Sequence, residues 1–187
     1  LTLKLGDPAA NYVIIGEGNT SARLDDDTFD VKASGQQMAT ITADGFVSVK
    51  FEPILAMLEN PPEDQKAILK QAMVEGAERN LTPSIETSFH GMLLHDCGVN
   101  FVGHTHPTTV NQILCSEHAE LFASNRLFPD EAVLCGPESV FVPYTPPGIP
   151  LALAIRAAVH AYMDKHGEAP KVVHLANHGM IALGMTA

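Results

Sequence analysis

The sequence predicts a single mixed domain of α/β or α+β class, on three observations. Its 187 residues, 45% of them hydrophobic, are enough to bury a real core in about one ordinary domain. No internal repeat, low-complexity tract or linker-like shift in composition divides the chain. Short segments with strand periodicity are interspersed with longer ones of helical periodicity.

Taken in order, residues 28–32 (TFDVK) and 45–50 (GFVSVK) alternate β-branched and aromatic positions between Asp and Gly, which predicts two strands of one sheet. Helices are predicted over 52–59, over 62–79 behind Pro61-Pro62, over 83–95, over 117–125 and over 150–166. Later strands fall at 99–104, 132–134, 139–142, 171–176 and 180–183, which are rich in Val, Phe, Ile and Leu.

Charge narrows the partners. With 22 acidic against 11 basic residues, a net charge of −11 argues against nucleic acid or an anionic membrane surface, and an anionic substrate would need a local cradle. Cys97, Cys115 and Cys135 are widely spaced and odd in number, so neither a disulfide framework nor a thiolate zinc site is indicated and a reducing cytoplasm fits. No apolar run reaches the ~18 residues of a membrane span, and the N-terminal stretch lacks the basic-then-apolar order of a signal peptide.

The chemistry concentrates in a few motifs. In VNFVGHTHPTTV (99–110), His104 and His106 lie two apart at a strand end and so project from one face. They read either as part of a metal site or as hydrogen-bonded residues of a strand end. A third neutral donor is available from Asn177-His178-Gly179, a turn between two apolar strands. Three imidazoles with one open position let a metal polarise a substrate oxygen. His174 reads as a core or sheet-face residue, and His90, His95, His118, His160 and His166 as helix-surface residues.

The stretch NLTPSIETSFHGMLLHD reads as a helix start with Thr82 as cap and Pro83 at the first helical position. Glu86 then sits in the first turn, as a dipole-stabilised surface charge or as a proton acceptor beside a metal, its pKa raised by partial burial. Backbone N–H groups around Ser84, with GEGNTSARL (16–24) and VKASGQQ (31–37), could form a phosphate cradle or be ordinary turns. Gly16-Glu17-Gly18 is not a dinucleotide fingerprint, because Ser21 stands where the third glycine belongs.

Five motifs, GEGNTS (16–21), KASG (32–35), PSIE (83–86), GHTHP (103–107) and NHG (177–179), stand in an order and spacing that resemble the class II aldolase/adducin family over almost the whole chain. The resemblance implies a three-layer α/β/α fold with a central, largely antiparallel sheet covered on both faces, assembled as a homo-oligomer, commonly a tetramer. It implies that His104, His106 and His178 hold Zn2+, that Glu86 is the general base, and that Asn19, Ser34, Gly35 and Ser84, aided by Lys32, hold a substrate phosphate.

The implied activity is reversible aldol cleavage of a phosphorylated ketose to dihydroxyacetone phosphate and an aldehyde. Epimerisation at C4, dehydration and decarboxylation would use the same oxyanion-stabilising site. A different class is the non-enzymatic adducin-like scaffold, against which the retained His104, His106, His178 and Glu86 count. The chain departs from the family in two places. Ile85 stands where many members have a second serine, and the sequence ends at Ala187, where relatives continue into a helical tail. The catalytic acid of the aldolases is not placed, and Tyr144 reads as a sheet or turn residue.

Overall fold

Alternating apolar side chains build the inner face of an eight-stranded sheet. The structure, a computed structural model, describes residues 1–187. Its elements are α1 (Thr2–Leu5), β1 (Gly18–Arg23), β2 (Thr28–Lys32), β3 (Phe46–Lys50), α2 (Phe51–Glu59), α3 (Gln65–Gln71), β4 (Met73–Glu75) and α4 (Thr87–Asp96). They continue with β5 (Phe101–Thr105), α5 (Thr108–Leu114), α6 (Ala119–Ser124), α7 (Pro129–Cys135), β6 (Val140–Val142), α8 (Ile149–His166), β7 (Val172–Leu175) and β8 (Gly179–Gly184).

The strand order is β4-β3-β2-β1-β5-β8-β7-β6, antiparallel except for the parallel pair β6 and β7. Directly opposed residues share a face, and the register sets Phe29 against Val49, Val31 against Val47, and Ile181 against both His104 and Val173. That face is sealed by α2, α4 and α8, whose Ile54, Phe89 and Ile155 are buried in the same core. The opposite face carries a thinner layer. Leu5 of α1 reaches Gly103, and Phe122 of α6 stacks on His174 with ring centroids 5.0 Å apart. The α/β/α layering and the largely antiparallel sheet are as expected.

Four local expectations are corrected. The stretch 62–79 is not one helix: α3 ends at Gln71 and the chain returns as edge strand β4 beside β3. Gly76 then turns with φ +104°, where an added Cβ would come within 2.6 Å of Val47. Residues 132–134 belong to α7 rather than a strand, because Pro129 at the helix start and Asp130 and Glu131 in the first turn favour a helix. GEGNTSARL is not a set of turns alone, since its second half is the central strand β1. Finally, α4 starts at Thr87 with Glu86 in the cap position, because Thr82 and Pro83 are extended and tied to the end of β2 by Ser34 N–H to Thr82 O at 2.8 Å and by the Ala33–Pro83 bridge.

His174 lies on the sheet as expected, 4% exposed, with its Nδ1 lacking any partner. Burial, helped by the Arg126 charge, pushes its pKa down to about 4. A histidine with a lowered folded pKa lends its full stability above the unfolded value of ~6.5 and loses it as pH falls toward the folded value. The loss at pH 4 is on the order of 3 kcal/mol from this shift. His174→Leu is therefore expected to unfold with a weaker pH dependence between pH 6.5 and 4, measured as urea midpoints; parallel slopes for the two proteins would refute the assignment.

Candidate metal centre and catalytic cleft

The site grows from the middle of the sheet. β5 is flanked by β1 and β8, with His104 opposite Asn19 on one side and Ile181 on the other. His104 is the last inward residue of its strand, and His106 follows where the strand stops and Pro107 leads into α5. His178 arrives from the tight turn between β7 and β8, in which Asn177 takes a left-handed φ of 54° and His178 N–H bonds Leu175 O at 3.2 Å. Gly179 is required there, because a Cβ would meet Thr105 O at 2.5 Å and the His106 ring at 2.6 Å. Asn111 on α5 holds the His178 carbonyl at 2.9 Å.

These placements bring the three imidazoles together, with one ligand nitrogen from each lying within 4.8 Å of the others. His104 is fully buried and its Nδ1 faces Met180 O at 3.0 Å. That carbonyl accepts only, so Nδ1 carries the proton and the Nε2 lone pair points into the site. His106 Nε2 stands 3.0 Å from it. Two nitrogens each ~2.0–2.1 Å from one tetrahedral metal lie about 3.4 Å apart, close to that spacing. Burial pushes His104 below its ordinary pKa and His106 down to about 4, which keeps both neutral and able to donate lone pairs at neutral pH. The donor set fits a divalent metal.

Glu86 reaches the triad from the entrance to α4, with Oε1 3.4 Å from His178 Nε2 and 3.6 Å from His104 Nε2. Burial alone would raise its pKa, as the sequence suggested. Contacts with the His178 and His104 rings and the hydrogen bond from the Asn19 amide outweigh burial and hold the carboxyl below the usual range. Glu86 is thus a carboxylate at neutral pH.

Beside it opens a cleft of about 340 Å³ that contains all five residues expected to cradle a phosphate: Asn19, Lys32, Ser34, Gly35 and Ser84. Lys32 is 6% exposed, its Nζ held by Gln36 O at 2.7 Å. Ser84 Oγ accepts from Glu86 N–H at 3.3 Å. Ser34 and Gly35 are exposed at the rim, and the N–H of Ser34 is already used on Thr82. Asn19 is turned inward, donating to Glu86 Oε2 at 2.6 Å.

One residue here escaped the sequence reading. His90, expected on a helix surface, is fully buried between α4 and β1. α4 is buried all around from Thr87 to Leu94, so its sequence lacks the polar stripe that would have separated inside from outside. His95 and His160 are exposed as expected and bind Asp96, each at 2.8 Å.

No curated protein matches the chain. Among solved structures, it is similar to the N-terminal class II aldolase domain of a conserved Thermoplasma acidophilum protein: 26% identity over 99% of this chain and 81% of that one, with TM-score 0.70. YgbL of Klebsiella pneumoniae, described as a putative aldolase/epimerase/decarboxylase, superposes with TM-score 0.71 at 19% identity, covering 99% of this chain and 77% of YgbL. The L-fuculose-1-phosphate aldolase of Thermus thermophilus superposes with TM-score 0.66 at 20% identity, covering 99% of this chain and 78% of the aldolase. No helix is long and apolar enough to cross a membrane. The model of the class II aldolase and adducin N-terminal domain matches residues 8–187, and the chain belongs to that family.

Proposed function

We propose that the protein is a zinc-dependent lyase that reversibly cleaves a phosphorylated ketose to dihydroxyacetone phosphate and an aldehyde. The observation that carries this is the adjacency of three things: a three-histidine nest, a carboxylate facing it, and a hydroxyl-lined cleft beside that carboxylate with Lys32 in its wall. Zinc held by His104, His106 and His178 would polarise the ketone and neighbouring hydroxyl of the substrate. The chain itself supplies the rest. Lys32 Nζ and the Ser34 and Ser84 hydroxyls bind the phosphate, with Gly35 letting it approach the backbone closely. In the condensation direction Glu86 Oε1 removes a proton from the carbon beside the ketone of dihydroxyacetone phosphate. In the cleavage direction it returns that proton.

The name of the Thermus neighbour adds weight to a ketose 1-phosphate as substrate. Assembly into a homo-oligomer, a tetramer as the family suggests, and residence in the reducing cytoplasm, compatible with three free cysteines, belong to the same proposal. Zinc-loaded protein should release dihydroxyacetone phosphate from at least one member of a ketose 1-phosphate panel, measured by its reduction with a coupled dehydrogenase. Inversion at C4 without cleavage, loss of water or release of carbon dioxide from an acid substrate would transfer the site to epimerase, dehydratase or decarboxylase chemistry. Silence of zinc-loaded protein towards all four would favour the scaffold role.

A further inference from the structure

We infer that His90 and Asn19 are positioning residues, forming with Ser21 a one-way hydrogen-bonded chain that fixes which oxygen of Glu86 faces the metal nest. The inference rests on the proposal that Glu86 handles the proton. Its links are Ser21 Oγ to His90 Nδ1 at 2.7 Å, His90 Nε2 to Asn19 Oδ1, and Asn19 Nδ2 to Glu86 Oε2 at 2.6 Å.

The direction of every link follows from one end. A carboxylate only accepts, so Asn19 must turn its NH2 toward Glu86 and its carbonyl toward His90. That carbonyl only accepts, so His90 carries its proton on Nε2. Nδ1 is then a bare lone pair, and Ser21 must donate its hydroxyl hydrogen to it. None of the three side chains exchanges freely with water: His90 is 0%, Asn19 3% and Ser21 3% exposed. Phe89 stacks on the His90 ring at 4.9 Å and 22°, fixing its plane, and burial pushes the ring's pKa down to about 3, so it stays neutral.

A chain that merely satisfied the polar residues of β1 could end on any acceptor. This one ends on the carboxylate that faces His104 and His178. With Oε2 occupied by the Asn19 amide, only Oε1 faces the nest, at 3.4 Å from the His178 ring and 3.6 Å from that of His104. A proton taken up by Glu86 therefore resides on Oε1, where it can be handed back. Asn19, expected to hold phosphate, has only one amide hydrogen left for that purpose.

The test uses three variants of the full chain. His90→Phe keeps the stacked ring and removes the donor, His90→Gln keeps a donor at similar reach, and Asn19→Asp keeps the acceptor for His90 but sets a carboxylate against Glu86. The probe is dihydroxyacetone phosphate with zinc-loaded protein in deuterated water, with loss of the carbon-bound proton followed by NMR. His90→Phe and Asn19→Asp are expected to lower kcat for exchange by ~10–100-fold, as second-layer partners of metal sites do, with zinc content intact in both and KM little changed in His90→Phe. His90→Gln should recover most of that loss. Nitrogen-15 spectra of the wild-type imidazoles should show His90 protonated on Nε2 and bare on Nδ1, and one Asn19 amide hydrogen shifted downfield in the wild type but not in His90→Phe.

A proton on Nδ1, or wild-type exchange rates in folded His90→Phe or Asn19→Asp, would overturn the inference. Failure of the wild type itself to exchange would count against the lyase reading. The His90 and Asn19 signals would still decide the chain.

Discussion

Replacing His104 or His178 by alanine is expected to lower bound metal from about one ion per chain to below about a tenth, because the two imidazoles that remain fall short of the three protein ligands a catalytic zinc site uses. The two variants separate metal loss from collapse. His104 is fully buried, packs edge-on against Phe89 at 5.5 Å and holds Met180 O through Nδ1. Its truncation leaves a cavity, and should destabilise the fold by ~2–5 kcal/mol, as large-to-small core changes do. His178 sits in a surface turn with its side chain 16% exposed, and its truncation should cost far less. Elemental analysis together with thermal unfolding, with and without added zinc, reads both quantities. Added zinc should raise the unfolding temperature of the wild type by mass action and leave both variants unmoved. Retention of one metal per chain in well-folded His178→Ala would remove the three-histidine site from consideration.

That the triad could be read from sequence at all follows from the geometry of strands. A period of two puts His104 and His106 on one side of a strand end, and the glycine after His178 marks a turn that must pass close to another strand. β1 could not be read in the same way. Asn19, Thr20 and Ser21 are polar yet buried, and a pattern of apolar residues cannot reveal a strand whose inward positions are satisfied by hydrogen bonds instead. Its partners, His90 and Glu86, are some seventy residues away and meet it only after α4 has packed on the sheet. The same long-range dependence displaced the start of α4. Pro83 looked like a helix opener, but pairing of Ala33 with Pro83 keeps that segment extended and moves the cap to Glu86, beside the metal nest. Local propensity erred at the residues that tertiary contacts recruit to the site, which is where such errors are expected.

Glu86→Gln should lower both ketose 1-phosphate cleavage and proton exchange by ~10²–10⁴-fold, the range for removing a positioned general base. The substitution nearly preserves shape, and a glutamine carbonyl can still accept from Asn19 Nδ2, so the chain through His90 to Ser21 need not reverse. Metal content should stay near one ion per chain because the three imidazoles are untouched. A loss in kcat at unchanged zinc content would assign the effect to the missing proton acceptor rather than to a damaged nest. The pH profile sharpens the assignment. Hydrogen bonds and the His104 ring outweigh burial and hold the Glu86 carboxyl below the usual glutamate range, so the base is already ionised above pH ~4.5 and contributes no acidic limb there. Protons competing with metal for the imidazoles then set an acidic limb, displaced to low pH by the depressed pKa values of His104 and His106, and added zinc should shift it lower still. A limb that excess zinc does not move and that Glu86→Gln abolishes would instead place the titrating group on the carboxylate, and with it would fall the picture of Glu86 as a base kept ionised by its neighbours.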